Sequence, residues 1–193
     1  MKYITEKKLI ESIYKLDNAQ DRLILAGSFY GLLGTKGGAE ALRNLKVSDV
    51  DGKIVTIDGI KITMNNYLSD IMAATIAETI YERVDDERKN SFYYLNMSSE
   101  YVIKSRPLPV TNDGLKPMSY DGFRSRIRSL SSYLGLDVST TTLKASGAYH
   151  ILKKYYEENK ILPTIAASSE LLRSHGFNVR LNTIHEMIKD IKK

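Results

Sequence analysis

One stretch restricts the fold more than any other. Residues 118–155 read as two helices joined by a short turn. In the first helix Tyr120, Phe123, Ile127, Leu130 and Leu134 recur at helical spacing, so they share one buried face. Arg124 and Arg128 sit four apart and project together on another face, while Arg126 points elsewhere. Gly135 stands where a helix C-cap glycine belongs. Thr140 or Thr141 can cap the second helix, whose Leu143, Ile151 and Leu152 face the core.

The rest of the chain adds helices and one early hairpin. Thr5 caps a helix that runs to about Leu16, and Asp17-Asn18 ends it and caps the next. Residues 21–33 are nearly apolar all round, the pattern of a central core helix. A loop over 34–38 and a short helix over 39–44 follow. Strands over 53–57 and 60–64 flank Asp58-Gly59, a two-residue turn signal in which both positions need positive φ. Asn66 is expected to cap a long helix over 67–84, and 85–90 to form a charged surface turn. Residues 91–104 carry Tyr and Val suited to a short hairpin or extended segment. Pro107, Pro109 and Asn112-Asp113-Gly114 make 106–117 a loop. Pro163 opens another helix that stops at Gly176, and the last begins near Asn182 with Ile184, Met187, Ile188 and Ile191 inward. The expected fold is mainly α with a small antiparallel β-sheet, in one domain over 1–193.

Composition narrows the classes of function. At 42% hydrophobic and 26% charged residues, the chain is a folded protein rather than a disordered one. With 28 Lys+Arg against 23 Asp+Glu the net charge is +5, which favours a polyanionic partner weakly. Cysteine is absent, which excludes disulfides and cysteine-based zinc sites. No apolar run approaches the ~20 residues needed to span a membrane, so no membrane partner is expected and the chain reads as soluble and cytoplasmic. His150, His175 and His185 lack metal-ligand spacing, and Gly34 to Gly38 lacks that of a phosphate-binding loop. No cofactor is expected. Residues 163–193 also allow a helix-turn-helix reading with an overlong turn.

Several blocks resemble the catalytic domain of tyrosine recombinases, the phage integrases. Gly31-Leu32, followed by L-R-N-L-K-V-S-D-V-D over 42–51, is similar to the family's T-G-L-R-x-S-E-L and S-D-I-D block. Lys61 falls where that family has its β-hairpin lysine. Thr141-Thr142-Leu143-Lys144 stands at His-x-Leu-Arg, and Leu172-Arg173-Ser174-His175 resembles the late L-G-H-S box. The resemblance covers roughly Ala19 to the C-terminus. It implies the recombinase fold without its reaction, which needs two arginines and a histidine on the scissile phosphate and a tyrosine nucleophile. The first arginine matches Leu33, or Lys36 or Gly38 if the alignment slides. Lys144 replaces the second, and Thr141 the first histidine. The nucleophile position falls at Ile184 or His185, and the last tyrosine of the chain is Tyr156.

No catalytic residue is therefore expected. The resemblance implies a recombinase-derived DNA-binding regulator, like the integrase-derived master repressors of SPbeta-like temperate phages. The family's separate N-terminal DNA-clamping domain is expected to be missing. The expected contacts to double-stranded DNA are Lys61, Lys104, Arg106, Lys116, Arg124, Arg126, Arg128 and Lys144. Six of these lie between residues 104 and 128, where six bases face two acids, Asp113 and Asp121. A regulatory protein and a second copy of the chain are the other expected partners.

Overall fold

A computed structural model describes residues 3–37, 39–83, 91–108, 110 and 113–192. The expected charged turn at 85–90, Gly38, Pro109 and Asn112 lie outside these residues. The architecture is α+β and like that of a recombinase catalytic domain.

Helix α1 (Glu6–Ile13) starts where the Thr5 hydroxyl accepts from the Lys8 amide. Helix α2 (Ala19–Phe29) is the axis of the molecule. From Leu23 to Phe29 every residue is buried, because α1, α4, α5 and α6 pack round it. Helix α3 (Glu40–Arg43) and a 3-10 turn (Val47–Asp49) lead into strand β1 (Val50–Asp51). Strands β2 (Ile54–Ile57) and β3 (Ile60–Thr63) form the expected hairpin, with Ile57 opposite Ile60. Its turn residues Asp58 and Gly59 have φ of 49° and 79°, as a two-residue turn of this hand requires. Val55, Ile57 and Ile62 point into the core, and Lys61 points out.

The expected helix over 67–84 is shorter. Helix α4 spans Asn66–Ala77 and is capped by Asn65, not Asn66. Glu78 turns extended, and the chain continues as strand β4 (Ile80–Glu82), antiparallel to β5 (Phe92–Tyr94). Tertiary bonds outweigh helical pattern here. The Glu78 carboxylate caps the start of α2 by accepting from the amides of Ala19 (2.6 Å) and Gln20 (3.1 Å). The Asn18 side chain, which does not cap α2, instead brackets the backbone of Glu82 from both sides.

Helices α5 (Tyr120–Tyr133) and α6 (Thr140–Asn159) form as expected, with one change of cap. Ser139, not a threonine, caps α6 in a reciprocal box with Thr142. Phe123, Ile127 and Leu130 are buried, whereas Tyr120 at the edge of their face is 45% exposed. Helices α7 (Ile165–Ser174) and α8 (Leu181–Ile191) close the chain. Thr164 caps α7, so Pro163 sits just outside it.

Two apolar clusters result. One joins α1 to α5 and the hairpin; the other joins α6, α7 and α8 around Phe177. They meet backbone to backbone. A Cβ on Gly147 of α6 would lie 1.7 Å from the Phe29 carbonyl oxygen. A Cβ on Gly31 would lie 2.0 Å from the His175 carbonyl oxygen, and one on Gly176 would lie 2.4 Å from that of Gly31. Only glycine permits such an approach.

Candidate nucleic-acid interface

The Gly31–Gly176 crossing draws together three of the blocks that carry the recombinase resemblance. It sets the turn after α2, the end of α7 and Ile62 of the hairpin side by side. His175 lines a cavity of about 400 Å³ beside this crossing, with Tyr30, His150 and Tyr155. Its Nδ1 lies 2.8 Å from the Leu171 carbonyl, on the last turn of its own helix. The charges in the cavity have the wrong balance for a phosphodiester. Among the described residues Glu6 and Glu158 line it against Lys154, and no arginine does. The Tyr30 hydroxyl donates to Glu6 at 2.7 Å, and burial together with that carboxylate holds its pKa above the usual tyrosine value.

The other positions matched to the recombinase reaction are dispersed. Leu33 is 6% exposed and belongs to the first core cluster. Lys36 is exposed and pairs with Glu40 at 3.2 Å. Thr141 is exposed on the first turn of α6. Ile184, at the nucleophile position, is a core side chain of α8, and His185 beside it points to solvent. Lys144 is half-buried in α6, and among the described residues no carboxylate pairs with it. Burial alone lowers its pKa.

The eight expected DNA contacts do not form one surface. Lys104 is 2% exposed, and its ammonium donates to the carbonyls of Thr75 (3.2 Å) and Ile76 (2.8 Å). It serves the C-terminal end of α4, where a cation meets both orphan acceptors and the helix dipole. Its place in the DNA set is corrected accordingly. Burial lowers its pKa as well.

Arg126 is likewise an interior residue, with 9% of its side chain exposed. Its Nε lies 3.0 Å from Asp21 Oδ1 and donates to the Tyr81 hydroxyl at 3.1 Å. Asp21 also accepts from Tyr81 (3.0 Å) and from Asn18 (3.1 Å). Burial raises the Asp21 pKa despite the opposing pull of Arg126. The sequence offered one signal of this pair: an acid among the apolar residues of the central helix needs a buried partner.

The helical wheel separates the remaining arginines. At roughly 100° per residue, Arg124 and Arg128 lie on one side of the α5 core face, and Gly122, Ser125, Arg126 and Ser129 on the other. Arg124 and Arg128 are exposed, and Arg124 lies over the Tyr120 ring at 5.4 Å. Arg106 is exposed and lies over the Tyr93 ring at 5.5 Å. Lys116 is exposed nearby, its carbonyl accepting from the Ser105 hydroxyl at 2.7 Å. Lys61 stands exposed on β3 opposite Thr56. Among the described residues no helix is long and apolar enough to cross a membrane.

A search of curated proteins finds no match to this chain. The family model described as MrpR, C-terminal catalytic domain, matches residues 3–191. With nearly the whole chain matched, the chain belongs to this family of integrase-like tyrosine recombinase domains.

Proposed function

We propose that this chain is a DNA-binding transcription regulator, of the phage repressor type, that uses an integrase scaffold without its cleavage chemistry. The observation that carries this reading is the cavity beside His175. A scissile phosphate needs converging positive charge, and among the described residues this cavity offers two carboxylates against Lys154 and no arginine. The core places of Leu33 and Ile184 support the same reading, since neither position can hold a phosphate clamp or a hydroxyl nucleophile. Lys144 keeps a charge there but lacks the bidentate fork of an arginine. DNA contact falls to the exposed cations Lys61, Lys116, Arg124 and Arg128 and to half-buried Lys144, with Arg106 against Tyr93 of the β4–β5 sheet.

The test is binding to duplex DNA by fluorescence anisotropy across a salt series. Affinity is expected to fall steeply with salt, and each of Lys144→Ala and Arg128→Ala to reduce the slope by about one. On a nicked suicide substrate no covalent protein–DNA adduct is expected. An adduct, or salt-independent binding, would overturn the reading. A second reading is a protein-interaction module. The outer face of the β4–β5 sheet favours it, because Ile80, Phe92 and Tyr94 are 39%, 56% and 67% exposed. A stable protein complex without DNA binding at low salt would select that reading.

A further inference from the structure

The β4–β5 hairpin has one closed edge and one open edge. The Leu95 amide donates to the Thr79 carbonyl at 2.8 Å, and the Arg83 amide to that of Ser91 at 2.9 Å. Backbone groups alternate in direction along an antiparallel ladder. Those of Ile80 and Glu82 on β4, and of Phe92 and Tyr94 on β5, therefore point away from the partner strand. On the β4 side the Asn18 side chain engages both groups of Glu82, at 2.8 and 2.7 Å. On the β5 side, among the described residues, no hydrogen bond reaches the backbone of Phe92 or Tyr94.

The same two residues carry exposed apolar side chains. Tyr81 and Tyr93 turn toward α5, so Phe92 and Tyr94 lie on the outer face with Ile80. The Phe92 and Tyr94 rings meet edge to face at 5.7 Å. Natural sheets protect an open edge with lysine, proline or a bulge. Residues 91–95, Ser-Phe-Tyr-Tyr-Leu, hold neither a charge nor a proline, and their register with β4 is continuous.

We propose that β5 is a dimerisation edge, where β5 of a second copy adds antiparallel and makes one four-stranded sheet across a two-fold axis. Charge and symmetry select this occupant. An uncharged edge offers no complement to a charged peptide. A two-fold axis at Tyr93 sets Phe92 of each copy opposite Tyr94 of the other. Each such pair exchanges two backbone bonds, so every outward group of both residues is met. The four rings then form one cluster on the outer face. Each ring is already partly covered, so it buries roughly half of the 150–250 Å² available to an aromatic side chain. The sum is well below the area of a standard interface, about 1,600 Å², so the dimer is reversible and depends on concentration. The inference takes up the sheet face noted above but rests on neither reading of function.

The experiment is analytical ultracentrifugation of the full chain over roughly 10 µM to 1 mM, where an interface of this area dissociates. A monomer–dimer equilibrium is expected. Tyr94→Pro removes an amide that the hairpin does not use, and Phe92→Lys sets a charge among the rings. Circular dichroism first establishes that both variants are folded. Each is expected to raise the dimer Kd by roughly tenfold or more. Cysteine pairing then tests the register, since the chain has no cysteine of its own. Facing residues of a bonded antiparallel pair have Cα atoms about 5.5 Å apart, within disulfide reach. A mixture of Phe92→Cys and Tyr94→Cys chains should therefore oxidise to a mixed dimer faster than either chain alone cross-links. Three results each overturn the proposal: a monomer at every concentration, a dimer that neither variant weakens, or equal cross-linking in mixed and single samples.

Discussion

Replacing Arg126 with methionine isolates the charge on the axis of the fold. Asp21 is fully buried on α2, and Arg126 is the cation that pairs with it. Methionine keeps most of the side-chain volume but removes the pair. Breaking a buried pair from one side costs about 3–5 kcal/mol. The Asn18 and Tyr81 donors stay on the carboxylate, so the low end, about 3 kcal/mol at pH 8, is expected. With a urea m value of about 2 kcal/mol/M, the unfolding midpoint should drop by roughly 1.5 M. The chain has no tryptophan, so far-UV circular dichroism follows the transition.

The pH dependence separates charge from packing. Burial already raises the Asp21 pKa, and Arg126 opposes that rise. Without Arg126 the folded-state pKa climbs further above its unfolded value. Such a carboxyl binds its proton more tightly when folded, so stability grows as pH falls through that window and is lost as pH rises. The deficit of the variant should shrink from about 3 kcal/mol at pH 8 to about 1 kcal/mol at pH 5, the remainder being the lost contact with Tyr81. Equal deficits at both pH values would refute this account of the pair.

Two other substitutions test the fold where it is tightest. Gly147→Ala places a methyl against the Phe29 carbonyl and should lower Tm by roughly 10 °C; a calorimetric scan that matches the parent would show that α6 can shift freely. Lys104→Met strips the donor from two α4 carbonyls and should cost about 1–3 kcal/mol in urea unfolding. Its DNA affinity should stay within about twofold, because the ammonium never reaches the surface.

The helices and the first hairpin were legible because local chemistry decides them. Thr5 and Asp58-Gly59 act through bonds and torsions a few residues away, and the Phe123–Ile127–Leu130 stripe reports its buried face directly. The shortened α4 was hidden, because Glu78 answers to the amides of α2, distant in sequence. The burial of two of the expected cations was hidden for a related reason. Arg124, Arg126 and Arg128 look alike as a string, yet burial separates them once Asp21 stands opposite the middle one. Lys104 gave no sign of its task, since the carbonyls that it serves belong to another helix.

Where two turns meet at Gly31 and Gly176, main chain rests on main chain, and the nearest atoms are the Gly31 and His175 carbonyls with the Phe177 and Ile62 side chains. Rigidity at this junction is thus uncoupled from reactivity. Exchange of the Thr141 or Lys144 side chain, neither of them among the nearest atoms at the joint, is expected to leave the helices in position. On such a frame the packing of the helices and the chemistry of the surface answer to different residues.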